Sequence, residues 1–169
     1  MDYKLIKGGV VERIYRARRT MRRKEARELL KEASNLFGEI ETGLVEEAKL
    51  DDEIWIYLID GSPMMARKGG NLIPLLTSPA IDRLPSIYID MGAVPHICKG
   101  ADVMIPGIVD VETDFGAGSL IAVRDIRHRK ALSIGRALLS SGEIKKGGRG
   151  RAVENIHYVG DKIWKTLHS

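Results

Sequence analysis

Short apolar segments that alternate with glycine and proline turns fill the second half of this 169-residue chain. Ser140 and Glu143 form a capping box for one helical turn, and Pro95 lies in the first turn of a short helix over residues 93–99. Many short strands with turns at regular spacing predict a small barrel rather than a sheet of βαβ units. The expected strands cover residues 87–89, 102–105, 108–111, 120–123, 131–137 and 153–158.

The string TDFGAGS lies between two of these strands and is interpreted as a glycine-rich hairpin connection. Within it, Asp114-Phe115-Gly116 has the letters of the kinase metal-binding triplet. The chain is far shorter than a kinase and lacks the accompanying phosphate loop and catalytic loop. We therefore expect these three residues to form a hairpin turn.

The first half begins with a basic segment and a helix. Residues 10–19 allow a short strand, and Thr20 can then cap a helix over residues 21–37. Apolar residues recur there every three or four positions, which gives the helix one apolar face. Gly38 is expected to end it, because glycine adopts the left-handed conformation that closes helices.

A hairpin is predicted next. The run IWIYLI at residues 54–59 is followed by the turn pair Asp60-Gly61 and by MMARK, so its first strand should be covered on both faces. Pro79 and Pro85 mark a boundary. The predicted fold class is α+β, with an N-terminal α+β domain over residues 1–84 and a mixed β pseudo-barrel over residues 85–169.

Composition narrows the functional classes. Hydrophobic residues make up 44% of the chain and charged residues 30%, which is typical of a globular protein, and the net charge of +4 permits an anionic partner. A single cysteine, Cys98, excludes a disulfide framework and fits a reducing compartment. The N-terminal residues lack the apolar region of a signal peptide, so a cytoplasmic location is expected.

The densest positive stretch precedes and opens the first helix. One interpretation is a solvated face with ion pairs between neighbouring helical turns, since Glu12, Glu25 and Glu28 partly offset the charge. The other is a surface that collects RNA phosphates. The residues of this basic patch are Arg16, Arg18, Arg19, Arg22, Arg23 and Lys24.

Two further groups of cations lie in the second half. One surrounds a turn between two expected barrel strands and comprises Arg124, Arg127, Arg129 and Lys130, with Arg136 on the strand that follows. The other is the loop KKGGRGR over residues 145–151. Binding residues lie more often on loops than on strands, although a flexible solvated loop is the simpler interpretation of KKGGRGR by itself.

No catalytic constellation is found in the sequence. His96, Cys98, His128 and His157 have none of the spacings that hold zinc, so structural histidines are expected and no metal site is predicted. There is no phosphate-binding loop of the Walker type. The chain is expected to need no cofactor and not to be an enzyme.

The second half as a whole resembles the PUA domain, an RNA-binding module. The resemblance rests on an ordered series of motifs, VPHICKGADVMIPGI, LIAV, ALSIGRALLSSGEI and GRAVENIHYVGDKIW. Preceded by IWIYLIDGSPMMARKGGNLIPLL, it is similar to the archaeal members of the malignant-T-cell-amplified-sequence family. Eukaryotic members of that family act with density-regulated protein on the small ribosomal subunit.

The resemblance implies an RNA groove next to the short helix. In that groove Lys99 would contact phosphate, while Gly100 and Ala101 would give the backbone clearance. Met104, Pro106, Gly107 and Ile108 would offer an apolar wall. Arg136 and His157 would lie on the later strands that border the groove.

The implied function is non-catalytic RNA binding in translation. The RNA would be tRNA or ribosomal RNA, and the partners would include the small ribosomal subunit and a factor similar to density-regulated protein. Two alternatives remain open at this point. The chain could be an accessory RNA-binding subunit of an RNA-modification enzyme, or an adaptor that docks a translation factor.

Overall fold

The computed structural model describes residues 16–40 and 42–169, which form two compact units. The first ends at Ser78 and the second comprises Pro79–Ser169. Helices and strands occur in both, which confirms the predicted α+β class. No helix within these ranges is long and apolar enough to cross a membrane.

The first unit is built on a five-stranded sheet in which every neighbouring pair is antiparallel and the strands follow chain order. Its third and fourth strands are the predicted hairpin, and five of the six residues of the third are buried, as expected for a strand covered on both faces. The strands are β1 (Arg16–Thr20), β2 (Val45–Lys49), β3 (Ile54–Ile59), β4 (Ser62–Lys68) and β5 (Asn71–Pro74). The predicted strand over residues 10–19 therefore lies mostly outside the described residues.

Helix α1 (Arg23–Phe37) connects β1 to β2 and contacts β5. Leu29, Ala33 and Phe37 recur every four residues and are buried on one face, as the apolar periodicity predicts. Gly38 ends the helix with a φ of 87° and donates its N–H to the Ser34 carbonyl.

The start of α1 differs from the prediction. Thr20 does not cap the helix, because it is the last residue of β1 and pairs with Glu46 of β2. Arg22 takes the capping position instead, and its N–H donates to Glu25 Oε2 at 3.0 Å. The carboxylate on the third helical residue thus satisfies the amide that precedes the helix.

The second unit contains a six-stranded mixed sheet in the order β7-β11-β10-β9-β6-β8. Only the β6 and β9 pair is parallel within this sheet, and the other neighbours are antiparallel. The strands are β6 (Ser86–Ile89), β7 (Val103–Met104), β8 (Ile108–Val111), β9 (Leu120–Asp125), β10 (Ala131–Ala137) and β11 (Arg151–Tyr158).

Closure of this sheet depends on a short turn. β7 and β8 lie at opposite ends of the strand order, yet they are consecutive in the chain and are joined only by the 3-10 helix Ile105–Gly107. The sheet must therefore curl until its two edges approach each other, which gives the nearly closed pseudo-barrel. The predicted strand over residues 102–105 is therefore shorter in the structure, where β7 comprises only Val103 and Met104.

The connection TDFGAGS is not a hairpin, because β8 pairs with β6 and β9 pairs with β6 and β10. The segment instead crosses between strands that are not neighbours. Phe115 is buried in the barrel core, where its N–H donates to Ser141 Oγ at 3.1 Å and its carbonyl accepts from the Ser141 N–H at 3.0 Å. Burial of this ring contributes about 2–3 kcal/mol, which favours the crossing over a solvent-exposed turn.

The second unit also contains three short α-helices: α2 (Val94–Ile97), α3 (Ser141–Lys145) and α4 (Lys162–Leu167). The predicted capping box is confirmed, since Ser140 Oγ accepts the Glu143 N–H and the Glu143 carboxylate accepts the Ser140 N–H. Gly100 follows α2 with a φ of 93°, in the left-handed region that favours glycine.

A buried carboxylate joins β11 to α4. Asp161 caps α4 by accepting the Trp164 N–H at 2.8 Å, and its other oxygen accepts the Tyr158 N–H and lies 2.7 Å from His157 Nδ1. Burial by itself raises the pKa of Asp161. The hydrogen bond and charge of His157 and the two amides outweigh that effect, so the pKa of this carboxyl lies below its ordinary value.

Gly100→Ala is expected to lower the free energy of unfolding of the second unit by about 1–3 kcal/mol. A Cβ at this position would strain the left-handed backbone and come within 2.9 Å of the Tyr158 hydroxyl. Native-state hydrogen exchange of the β11 amides measures the change. Gly116→Ala is the matched control, because no atom lies within 4 Å of its Cβ position. Equal effects of the two variants would contradict the expectation.

Asp161→Asn is expected to destabilise the second unit by about 1–3 kcal/mol at pH 7. Because the folded carboxyl is more acidic than the unfolded one, its contribution is complete above about pH 5 and is lost as the pH falls through about 4 and below. The difference from wild type should therefore shrink in acid. Urea unfolding followed by Trp164 fluorescence in a Trp55→Phe background measures it. Glu154→Gln, at an exposed position of β11, is the control, and a difference that stays constant down to pH 3 would contradict the expectation.

Candidate nucleic-acid interface

A surface groove of about 440 Å³, called the first groove below, lies beside α2 in the second unit. Its walls are mostly apolar, and three side chains with polar groups enter it. The groove is lined by Ala93, His96, Ile97, Ala101, Asp102, Val103, Met104, Gly107 and Arg151.

The floor of the first groove is fixed by hydrogen bonds from β11. Asn155 Nδ2 donates to the carbonyls of Ile97 and Ala101 at 3.1 and 3.0 Å, so one amide ties the end of α2 to the segment that follows it. The Asn155 N–H donates to Asp102 Oδ1 at 2.9 Å. Backbone carbonyls on this floor are thus satisfied within the protein, which leaves the rim side chains to meet a ligand.

The charged rim consists of one ion pair. Arg151 Nη1 lies 3.0 Å from Asp102 Oδ2, and 62% of the Arg151 side chain remains exposed. A guanidinium has five N–H donors in a planar fork, so a single contact to Asp102 leaves several of them available to a phosphate. The ion pair therefore orients the Arg151 guanidinium at the groove and leaves several of its N–H groups able to bind a ligand.

Several residues from the sequence analysis come together here. Ala101, Met104 and Gly107 line the first groove, and Met104 is 45% exposed, as its alternation with buried Val103 predicts. Pro106 is exposed in the 3-10 helix next to Gly107, and Lys99 is exposed immediately after α2.

Gly100 lies against a side chain of β11. The space that its missing side chain leaves is occupied by Tyr158, whose atoms lie 2.9–3.2 Å from the Cβ position. The clearance at Gly100 thus accommodates Tyr158, and its use by RNA stays a prediction.

His157 is likewise placed away from the surface. It is fully buried and bonded to Asp161, so its imidazole cannot reach a ligand in the groove. The structure thus places His157 inside the protein, and its assignment to the RNA interface stays a prediction. Ile156 and His157 are both buried, because the register of β11 against β10 shifts between Asn155 and His157 and the regular alternation of the strand is interrupted there.

The four cations around the turn between β9 and β10 do not line the first groove. Arg124 is held by Ser86 Oγ, by Asp82 at 3.0 Å and by the Arg129 carbonyl. Arg129 lies 4.6 Å above the Tyr88 ring. Arg127 and Lys130 are exposed on this turn.

The turn itself is held by a buried carboxylate. Asp125 accepts the amides of His128 and Lys130, and although burial raises its pKa, these amides hold the pKa of Asp125 below its ordinary value. Arg136, on β10, donates to the Gly118 carbonyl at 2.7 Å and is half-buried.

The basic patch of the first unit divides into paired and exposed cations. Arg18 pairs with Glu46 at 2.6 Å, and Arg19 pairs with Glu25 and Glu47. These contacts agree with the interpretation of an ion-paired face. Arg22, Arg23 and Lys24 are exposed at the start of α1. For Arg16, only its backbone position in β1 is described.

Sequence reasoning missed Asp102 and Arg151, which line the groove, and Asn155, which forms hydrogen bonds to groove residues. Asp102 is 49 positions from Arg151 and 53 from Asn155, so their meeting depends on the pairing of β7 with β11. The sequence did indicate Arg151 as a cation, because it is the last residue of the basic loop KKGGRGR. In the described part of the chain, no group of three or more His, Cys, Asp or Glu side chains could hold a metal ion.

Two family models match the chain. The PUA domain matches residues 85–159, and a domain of unknown function named DUF1947 matches residues 17–78. Among solved structures, a PUA domain of Aeropyrum pernix superposes with a TM-score of 0.79 at 29% identity, covering 90% of this chain and 91% of that one.

Relatives extend over both units. An uncharacterized protein of Methanocaldococcus jannaschii is 32% identical over 88% of this chain and 96% of its own length. Translation machinery-associated protein 20 of Eremothecium gossypii is 32% identical over 69% of this chain and 68% of its own length. Malignant T-cell-amplified sequence 2 of Homo sapiens is 31% identical over 48% of this chain and 46% of its own length. This chain therefore belongs to the PUA-domain family that includes translation machinery-associated protein 20 and the malignant T-cell-amplified sequence proteins.

Proposed function

We propose that this chain is a non-catalytic RNA-binding protein that acts in translation, with tRNA or RNA of the small ribosomal subunit held in the first groove. The observation that carries the proposal is the exposed Arg151 guanidinium, oriented by Asp102 at the rim of an open groove with apolar walls. The names of the relatives support a role in translation, which takes place in the cytoplasm.

The groove offers the contacts that RNA needs. Arg151 and the exposed Lys99 supply positive charge for the phosphate backbone, and binding releases the counterions that surround it. Met104 and Pro106 provide an exposed apolar surface for a sugar or a base. RNA is commonly recognised through splayed single-stranded ends and loops, which an open groove of this size admits.

A binding role also fits the state of the polar groups in the groove. Both oxygens of Asp102 already accept hydrogen bonds, one from Asn155 and one from Arg151. The Asp102 carboxylate is thus engaged in orienting Arg151 and in holding the Asn155 backbone, and this arrangement supports positioning of a ligand.

The exposed cations at the start of α1 are proposed as a separate contact for RNA or a protein partner. Positive side chains at a helix N-terminus oppose the helix dipole, so Arg23 and Lys24 stabilise α1 less than acids would in their place. Binding of anions there would compensate for that cost. A partner similar to density-regulated protein could use the same unit.

Lys99→Ala and Arg151→Ala are each expected to weaken binding of tRNA and of small ribosomal subunits, and to reduce the slope of log K against log salt by about 0.7–0.9. Filter binding between 50 and 300 mM salt measures both quantities. Lys165→Ala, at an exposed position of α4, is the control of equal charge. The proposal fails if wild type shows no affinity for either RNA at 50 mM salt. Co-purification with an RNA-modification enzyme in place of ribosomes would support an accessory subunit instead.

Gly107→Leu is expected to reduce RNA affinity at least tenfold while the protein stays folded. The new Cβ would lie 3.5 Å from the Ala93 Cβ, an ordinary contact, and the rest of the side chain would extend beside a groove that Gly107 lines. Gly107→Ala is the matched control and should bind almost as wild type does. The change leaves every charge in place, so an unchanged affinity of the leucine variant would mean that RNA does not enter the first groove.

A further inference from the structure

We propose that the loop KKGGRGR, residues 145–151, is a second phosphate-binding element that leads a single RNA strand out of the first groove and into a second one. This inference rests on the proposed function and names its substrate class as single-stranded RNA longer than one groove can hold. Four of the seven loop residues are cations and none is an acid.

The second groove has a volume of about 430 Å³ and lies along β8. Its other walls come from the 3-10 helix Ile105–Gly107 and from Ile144, Lys145, Gly147 and Gly148. Ile105 and Pro106 line the second groove, and Gly107 lines the first. A single turn therefore separates two grooves of nearly equal volume.

The loop borders both grooves and is anchored at each end. Lys145 lines the second groove and lies 3.2 Å from Asp114, whereas Arg151 lines the first and is held by Asp102. The Gly150 carbonyl accepts the Ile105 N–H at 3.0 Å, which fastens the loop to the turn between the grooves. Its path past both grooves is thus fixed by contacts within the protein.

The central cations are the ones available to a ligand. Lys146 and Arg149 are exposed, and no salt bridge joins either of them to an acid in the described ranges. Glu143 acts on Lys146 through its charge, but its carboxylate accepts the Ser140 N–H at 2.8 Å in the capping box. Two cations thus stand between the grooves with their charges uncompensated by direct contact.

The glycines between these cations keep the loop open to a close approach. Gly147 and Gly148 have φ values of 77° and 116°, and beyond the adjacent residues no atom lies within 4 Å of either Cβ position. The path needs glycine, because other residues rarely adopt such φ values. With no side chains there, a phosphate can reach the backbone between Lys146 and Arg149.

Single-stranded RNA matches this arrangement better than an acidic peptide or a duplex. A nucleic acid carries a charge at every residue, so one strand can meet Arg151, Arg149 and Lys146 in succession. Exposed apolar residues, Met104 on one side and Val109 on the other, offer each groove a surface for a sugar or base. In a base-paired helix the bases are held in pairs, whereas a single strand can turn its bases out toward such surfaces.

The test compares the full-length wild-type protein with Lys146→Ala/Arg149→Ala on a fluorescein-labelled twelve-nucleotide oligouridylate. Each phosphate contact on a single strand contributes about 0.7 to the salt slope, so two contacts contribute about 1.4. If the two proteins bind equally at 1 M salt, the variant should therefore bind about 25-fold more weakly than wild type at 0.1 M salt. The control is Arg83→Ala/Lys165→Ala, which removes the same charge at exposed positions outside both grooves and should change the affinity less than threefold.

Hydrogen exchange supplies the second readout. Binding of the oligonucleotide to wild type should protect residues 101–104 in the first groove and residues 108–111 in the second. The loop variant should lose only the protection of residues 108–111. A loop variant that behaves like the control overturns this inference, as does stronger competition by polyglutamate than by unlabelled oligouridylate. The proposed function survives those results if Lys99→Ala and Arg151→Ala still weaken binding. The proposed function and this inference both fail if the wild-type protein binds no RNA at low salt.

Discussion

The pairing of β7 with β11 is the contact on which the second unit and its groove depend. Met104 pairs with Arg151 and Val103 with Val153, and this two-residue ladder attaches one edge of the sheet to its last long strand. Because β7 leads through a three-residue turn to β8 at the opposite edge, the same ladder holds the barrel nearly closed. It also brings Asp102 next to Arg151. Closure of the barrel and assembly of the charged rim are therefore one structural event, and a change that loosens the ladder should weaken both.

Local signals in the sequence were sufficient for the elements that depend on their own residues. The capping box at Ser140, the helix stop at Gly38 and the covered strand IWIYLI all appear where the residue types place them. Errors arose where a distant contact decides the outcome. Thr20 was predicted to cap α1, but its pairing with β2 keeps it in a strand. The segment TDFGAGS resembles a hairpin turn, yet burial of Phe115 draws it across the barrel.

The same division applies to the candidate site. Composition identifies the cations, but not which of them already have partners. Arg18 and Arg23 are five residues apart in one basic patch, and among residues 16–40 and 42–169 only Arg18 of the two is paired with an acid. A strand can also bury a polar residue, as His157 shows: it is fully buried at a register shift in β11 and is paired with the Asp161 carboxylate. The sequence identifies Arg151 only as one cation of a loop. Its position at the groove depends on its contact with Asp102, which is 49 residues away.

The Asp102 and Arg151 pair connects the stability of the groove to its proposed use. With most of the arginine side chain in solvent, such a pair contributes about 0–1 kcal/mol to stability, because water screens the attraction and the long side chain loses freedom. Asp102 retains its second anchor, the Asn155 N–H, whether or not the arginine stays with it. Exchange of the carboxylate for an RNA phosphate therefore costs the fold little, and the guanidinium can keep one N–H on Asp102 while others turn to the ligand. An arginine that is oriented but only weakly held can bind a backbone whose exact position differs from one RNA to another, which is what recognition by charge and shape requires.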